Sequence, residues 1–430
     1  MTSLKYIIPT VLGLIITACV PLTPTDSYAS KALIMDNVKY ENTVGMVQLY
    51  PLNDEQGAFL QYPVIEVGDP GLVLVFDVME DDSEYLYAKY ISCNADWTKS
   101  NLQDLQFITV YNEFPINNYS YSSNTHTNYV NYSTTLPTPD KSGNYIVEVY
   151  RNSHPEDALF TQRFLVVNQQ CEFEVQIKNT AVVSRFRQDQ QLNMEIKYPE
   201  IENVNPMREF KVVLLQNHNW NTAIRGLEPT QFLPYENKLI YQQFSGENTF
   251  PGLNEYRYFD LRSVDYRGMN VANVRKEPDQ VVAFLGIDKS RGDLAYTQIN
   301  SDLNGGYYLQ NTDPNDSQLQ SEYVKVFFEL MNDSIDGQVY VTGRFNNWNI
   351  TPENQLHYDT QTGSYKGYTW LKQGYYNYFY WAVDKNNHPY YMFEGNHYQT
   401  QNDYEVLFYY RNPFYNYDEL IGYRLISSRI

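Results

Sequence analysis

The sequence predicts an all-β protein assembled from β-sandwiches in tandem, and three observations carry this. Tyr supplies 42 of 430 residues and aromatics make up 16% of the chain. Such side chains suit the pleated, half-buried surface of a sheet, where aromatic cross-strand pairs are stabilising. Apolar or alternating runs are short, and turn clusters such as Pro139-Asp140-Lys141-Ser142-Gly143 separate them. No long stretch repeats with the period of an amphipathic helix. At 430 residues the chain exceeds one ordinary core, so two or three domains are expected.

The amino terminus reads as an export signal. Lys5 precedes an apolar run over 6–16, and Thr17-Ala18-Cys19 follows. That is the charged, apolar and small-residue order of a signal peptide over residues 1–18. The run is too short to span a bilayer comfortably. Ile16-Thr17-Ala18-Cys19 also resembles a bacterial lipobox, in which Cys19 becomes the lipidated first residue of the mature chain. Two or more acyl chains there would give stable membrane anchoring. An ordinary signal cleaved near Ala29 is the alternative. Removal of Lys5 takes the formal charge from −20 to −21. Residues 19–35, rich in Thr, Ser and Pro, read as a tether.

Three strand series follow. The first, 36–168, contains the apolar run LVLVF from Leu72, the alternating EYLYAKY from Glu84, and NYIVEVY from Asn144. The second, 169–320, contains FEVQI from Phe173, FKVVLLQ from Phe210 and VVAFLGI from Val281. The third, 321–430, opens with YVKVFFEL at Tyr323. The polar segment NTDPNDSQLQ, 311–320, reads as a linker, which places cuts near 168 and near 320.

The charge of −20 argues against a nucleic-acid partner, because an anionic chain repels phosphates. The six histidines lack helical i, i+4 spacing and none adjoins a cysteine, so local spacing supports no metal site. The chain has no GxSxG elbow, P-loop or GxGxxG fingerprint. Catalysis therefore has no nucleophile–base signature behind it. Besides Cys19, only Cys93 and Cys171 remain. In an oxidising compartment they could form a disulfide, or they could stay as two separate buried thiols; the fold sets their reach and the sequence leaves both open.

Several short motifs, taken together, identify a family. Tyr87 to Leu102 reads YAKYISCNADWTKSNL, and Ser142-Gly143-Asn144-Tyr145 opens a strand. Gln216-Asn217 precedes Trp220, and Asn248 to Ser263 reads NTFPGLNEYRYFDLRS. Phe393 to Tyr404 reads FEGNHYQTQNDY, and Leu420-Ile421-Gly422-Tyr423 closes the chain. In this order and spacing they resemble the plug protein family of the Bacteroidota type IX secretion system, over roughly residues 36–430. The resemblance implies a non-enzymatic periplasmic protein without a cofactor. It would dock on the outer-membrane β-barrel translocon and occlude its channel. With a lipidated Cys19, it would be held at the inner face of the outer membrane.

Two further stretches bear on partners. NYSYSSNTHTNYVNYS, 118–133, interleaves Tyr with polar residues and is expected as a long loop or irregular edge suited to recognition, or else as a solvated hairpin. In Asn254-Glu255-Tyr256-Arg257, Glu255 and Arg257 would share one strand face, read as an internal ion pair that fixes a turn between sandwiches.

Near the end, Gly343-Arg344-Phe345-Asn346-Asn347-Trp348 resembles the start of the glycogen-binding modules of AMP-activated kinase β subunits and starch-branching enzymes, an early-set, Ig-like sandwich. Gly363-Ser364-Tyr365, Gly374 to Tyr378 and Val383-Asp384 agree in part. This raises an alternative function, a lipid-anchored glycan-binding protein with contacts at Trp348 and Tyr390. The other platform positions of those modules are not matched, so a packing role for Trp348 is favoured over a glycan contact.

Overall fold

The computed structural model describes residues 30–152, 154–202, 204–299, 302–313, 318–384 and 389–428, without the side chains of Gln318, Pro389 and Tyr390. The expected signal peptide, Cys19 and most of the tether lie outside the described residues. As expected, the protein is all-β.

In the first sandwich, a six-stranded sheet runs Val38–Lys39, Ala158–Val167, Gly143–Arg151, Leu86–Cys93, Phe114–Ile116, with Val64–Glu66 pairing in parallel to Ala158–Val167. A four-stranded sheet runs Val44–Pro51, Leu72–Val78, Val130–Leu136, Asn118–Tyr121. Alternation explains the packing: Leu72, Leu74, Phe76 and Val78 all point inward, against Tyr90, Tyr145 and Phe160 of the other sheet. Gly71, at φ +127°, passes so close to the facing strand that a Cβ would lie 2.1 Å from the Leu136 carbonyl, which only glycine tolerates. The expected recognition segment is a hairpin, Asn118–Tyr121 against Val130–Leu136. Tyr129 and Tyr132 are buried, and Tyr119 and Tyr121 stay exposed on the edge strand.

The second sandwich is assembled from two distant parts of the chain. Glu172–Asn179, Asp189–Lys197, Lys238–Tyr241 and Gln231–Leu233 form one sheet, with Thr249–Pro251 pairing to Asp189–Lys197. The opposing sheet runs Ile224–Arg225, Phe210–Gln216, Asp403–Asn412, Tyr417–Ser427. Its carboxy-terminal hairpin thus comes from beyond the third strand series. Tyr404, Val406, Phe408 and Ile421 of this hairpin fill the core against Leu192, Met194 and Ile196.

The third sandwich is an insert between these parts. Its eleven strands run from Arg257–Asp260 through Gly374–Val383, Gln338–Thr342, Gln355–Asp359, Ser364–Lys372, Tyr323–Met331 and Val281–Leu285 to Val271–Lys276, with short strands Asp288–Lys289, Tyr307–Leu309 and Pro389–Tyr390 added at the margins. The sheet folds over on a core that includes Phe259, Val326, Phe328, Tyr376 and Tyr380.

The cut expected near 320 is therefore not where the sheets divide. Arg257–Asp260 pairs with Gly374–Val383, and Phe210–Gln216 pairs with Asp403–Asn412, each across that position. Linker composition marks exposed backbone and cannot reveal an insertion, because pairing partners far apart in sequence leave no local signal. The possible Cys93–Cys171 disulfide is also not formed: both cysteines are free and buried, each in a different cluster. Burial pushes each thiol up to about 12, so both remain protonated.

Candidate functional site

The motifs that were scattered in sequence meet at the neck of the insert. Leu253 accepts a hydrogen bond at 2.8 Å from His397 N, so the two ends of the insert touch. Gly252 makes this approach possible: a Cβ there would fall 2.2 Å from the His397 carbonyl and 2.6 Å from that of Gln188. Asn254 Nδ2 donates to the Glu394 carbonyl at 2.8 Å, and Asn396 Nδ2 to Asp189 Oδ1 at 2.9 Å.

Buried charge fills the space behind this contact. Arg257 Nε donates to Glu394 Oε1 at 3.0 Å, and its Nη1 donates to Asp288 Oδ1 at 2.8 Å. Burial opposes the charge on Glu394, yet Arg257 and Arg291 hold its carboxyl below the usual range. Glu255 is fully buried; it accepts from Tyr296 Oη at 2.6 Å and from Gln401 N at 3.1 Å. Asp302 accepts from Tyr256 N at 2.6 Å and Asn304 N at 2.7 Å. Burial, and then its contact with Glu255, raise its pKa to about 8. The expected role of the NEYR stretch was right in kind and wrong in partner. Arg257 is an internal ion-pair residue, but it pairs with Glu394 and Asp288, while Glu255 turns to Tyr296 and Asp302.

The first and second sandwiches join through a dry sheet-on-sheet contact. Ile91, Cys93, Ile146, Leu165 and Val167 face Val213, Leu215, Leu407, Tyr409 and Leu420. Trp97 and Trp220 meet edge to face at 4.9 Å, and the Arg163 guanidinium lies 4.3 Å from the Trp97 ring. Tyr409 Oη donates to Asn144 Oδ1 at 2.8 Å. Asp418, fully buried, accepts from Ala95 N at 3.0 Å and from Lys211 Nζ at 2.9 Å.

Between the first and third sandwiches lies a buried ion pair. Lys372 Nζ donates to Asp77 Oδ2 at 2.8 Å, with Tyr323 Oη at 2.6 Å on the same oxygen and Asn131 Nδ2 at 2.7 Å on Oδ1. The ammonium sits 4.1 Å from the Tyr129 ring. The sequence carries a signal for this pair: Asp77 interrupts an otherwise apolar strand, and a charge in such a run needs a partner.

All three bodies meet at one stack. Arg344 of the third sandwich lies 4.7 Å from the Tyr62 ring of the first, which stacks at 4.4 Å on His218 of the second. Arg344 Nη1 donates to the Leu60 carbonyl at 2.6 Å. Trp348, the candidate sugar contact, is 3% exposed and packs among Leu253, Tyr256, Phe379 and Trp381. Its carbonyl accepts from Asn221 Nδ2 at 3.0 Å. The Gly343–Trp348 loop therefore offers no open stacking face at Trp348. The side chain of Tyr390, the second candidate, lies outside the described residues. A cleft of about 670 Å³ opens beside the stack, lined by Glu55, Glu66, Asp69, Asp403 and Arg344 among others. Among the described residues no cluster of three or more His, Cys, Asp or Glu side chains is placed to hold a metal ion. No described helix is long and apolar enough to cross a membrane.

The chain is similar over most of its length to a crystal structure of a hypothetical protein from Parabacteroides merdae. Identity is 28%, the TM-score is 0.86, and the match covers 92% of this chain and 100% of that one. Escherichia coli alpha-2-macroglobulin, at 9% identity and a TM-score of 0.18, covers 92% of this chain and 23% of its own, and carries no argument. No curated protein matches. Residues 44–168, the body of the first sandwich, match the model of the "Type 9 secretion system plug protein 1st domain". The first sandwich is therefore a type IX secretion plug domain, which ties this chain to that secretion system.

Proposed function

We propose that this protein is a non-enzymatic periplasmic plug that docks on the outer-membrane β-barrel translocon of type IX secretion and occludes its channel. The observation that carries the reading is the plug-domain match at residues 44–168. The architecture supports it: a stopper needs a large rigid body, and three sandwiches locked by buried charges provide one. The protein acts without a cofactor. A lipid on Cys19 would tether it to the inner face of the outer membrane, and loss of palmitate labelling in Cys19→Ser would test that anchor. The glycan-binding alternative gains nothing from Trp348, which is buried.

Deleting the gene in a strain that carries the translocon tests the plug. An unstoppered pore predicts sensitivity to large antibiotics that the intact outer membrane excludes. Unchanged permeability would overturn the proposal, as would failure of any large outer-membrane barrel to co-purify with the tagged chain in mild detergent.

A further inference from the structure

One face of the third sandwich packs inward through Phe379 and Trp381. The opposite face packs on the first sandwich at one end, through Tyr323 and Lys372, and beyond that junction it is solvated and has an unusual composition. Strand Tyr323–Met331 turns Val324, Val326, Phe328 and Leu330 into the core, so Lys325 and Phe327 point outward. Register places Phe284, Phe327 and Tyr368 side by side across three strands, with Val282, Lys325 and Trp370 in the adjacent row. Phe284 and Phe327 stack at 5.0 Å, and Phe327 meets Tyr368 at 5.5 Å. Tyr368 and Trp370 are 48% and 41% exposed. This is a flat aromatic strip on a solvated sheet face, where polar side chains are the ordinary choice.

Two cations complete it. Arg275 lies 4.4 Å from the Phe284 ring and Lys325 lies 4.0 Å from the Tyr368 ring. Among the described residues neither makes an ion pair, although acidic residues outnumber basic ones 51 to 31 in the chain. A surface that keeps two cations free of carboxylates in so acidic a protein is complementary to carboxylates from elsewhere. The cations lie over the Phe284 and Tyr368 rings, which blocks sugar stacking there and leaves ammonium and guanidinium donors pointing outward. We infer that the strip formed by Arg275, Phe284, Lys325, Phe327, Tyr368 and Trp370 is a docking surface for an acidic segment of a partner protein, whose carboxylates pair with Arg275 and Lys325 while its apolar side chains cover the rings. This stands independently of the plug reading, because the partner need not be the translocon.

The test replaces Trp370 with the photo-crosslinker p-benzoylphenylalanine in the full chain, produced from its own locus, and maps the adduct by mass spectrometry. The expected result is one dominant adduct on a protein segment of net negative charge. Combining Arg275→Glu with Lys325→Glu should cut its yield at least tenfold. The equal charge change made by Lys276→Glu with Lys178→Glu, off the strip, should leave the yield unchanged. If the reversed variant fails a circular dichroism check of its fold, Arg275→Gln with Lys325→Gln should still lower the yield severalfold. No adduct above that from the same crosslinker at fully exposed Tyr235 would overturn the inference. So would an adduct on a neutral or basic segment, on lipid or on glycan, or one indifferent to the charge changes. Antibiotic permeability reads the plug separately, so the two proposals can fail independently.

Discussion

Replacing Lys372 by Met puts the junction of the first and third sandwiches to a quantitative test. The Lys372 and Asp77 side chains are 2% and 0% exposed, so the uncharged methionine side chain would leave a carboxylate in a dry site. Tyr323 and Asn131 would still donate to Asp77, but its ion-pair partner would be gone and only the longer-range attraction of Lys39 would remain. Removing one partner of a buried pair costs about 3–5 kcal/mol, most of it the desolvation of the survivor. Asp77→Asn in the same background removes the stranded charge and keeps an oxygen for Tyr323. The double variant should therefore recover at least half of the loss, a coupling of about 2 kcal/mol. A chain of several bodies need not unfold in one step, so a global midpoint is the wrong readout. Native-state hydrogen exchange of Leu72–Val78 and Tyr323–Met331 reports the junction directly. Protection in both strands should fall in Lys372→Met and return in the double variant. If the single change costs under about 1 kcal/mol, or the double is worse than the single, the pair does not hold the junction and the reasoning fails.

Asp302 gives a pH signature: with its pKa raised to about 8, the folded protein keeps a proton that the unfolded chain has released. Its contribution is complete below about pH 4 and is lost as pH rises through about 8. In that window the group alone lowers stability by about 1.4 kcal/mol per pH unit. Native-state hydrogen exchange in Arg257–Asp260, corrected for intrinsic exchange rates at each pH, should show this slope flattened in Asp302→Asn, and equal slopes in both chains would refute it. Deleting 403–428 removes Tyr404, Val406, Phe408 and Ile421 from the second core. At about 1.5–3 kcal/mol each, the loss of about 6–12 kcal/mol is comparable to the whole stability of a typical domain, so protease should cut within 172–251. Excising 254–396 with a short Gly-Ser linker should instead leave the first two sandwiches folded, because the ends of the insert already touch; loss of a cooperative melt would show otherwise. Maleimide at pH 8 should leave Cys93 and Cys171 unmodified in the native protein and label both in urea, with intact mass as the readout; labelling of the native chain would contradict their burial.

Strand chemistry was legible in the sequence because it is local. Leu72–Val78 and Tyr323–Met331 show their strand character within a few residues. The insertion was not legible. Nothing in FKVVLLQ says that its neighbour lies nearly two hundred residues away, in VLFYY, since antiparallel pairing needs only complementary faces. Site residues failed for a related reason. Trp348 carries the signature of a sugar platform, and only the neighbouring sandwich decides whether its ring meets solvent. For Arg257 the sequence supplied the charge, while the choice of Glu394 over Glu255 depends on where the insert closes.

The insertion changes what the interdomain contacts mean. Sandwiches strung on single linkers can bend at each linker, and their relative motion is the usual expectation. Here the third sandwich leaves and rejoins the second through strands that touch at Gly252 and His397. The returning hairpin is then buried on both faces, with Tyr404 in the second core and Tyr409 against the first sandwich. Moving the first sandwich breaks the Ala95–Asp418 hydrogen bond and opens the apolar contact around Ile91 and Leu407, and moving the third pulls Lys372 from Asp77. Hinge motion at these joints is opposed by the apolar surface it would expose, about 25 cal/mol per Å², and at the third sandwich also by the loss of a buried, hydrogen-bonded pair. For the proposed plug, that resistance to bending is the useful property. Docking then depends on what the rigid block presents on its outside, which makes the exposed hairpin at Tyr119 and Tyr121 and the cationic aromatic strip at Trp370 the surfaces to mutate first.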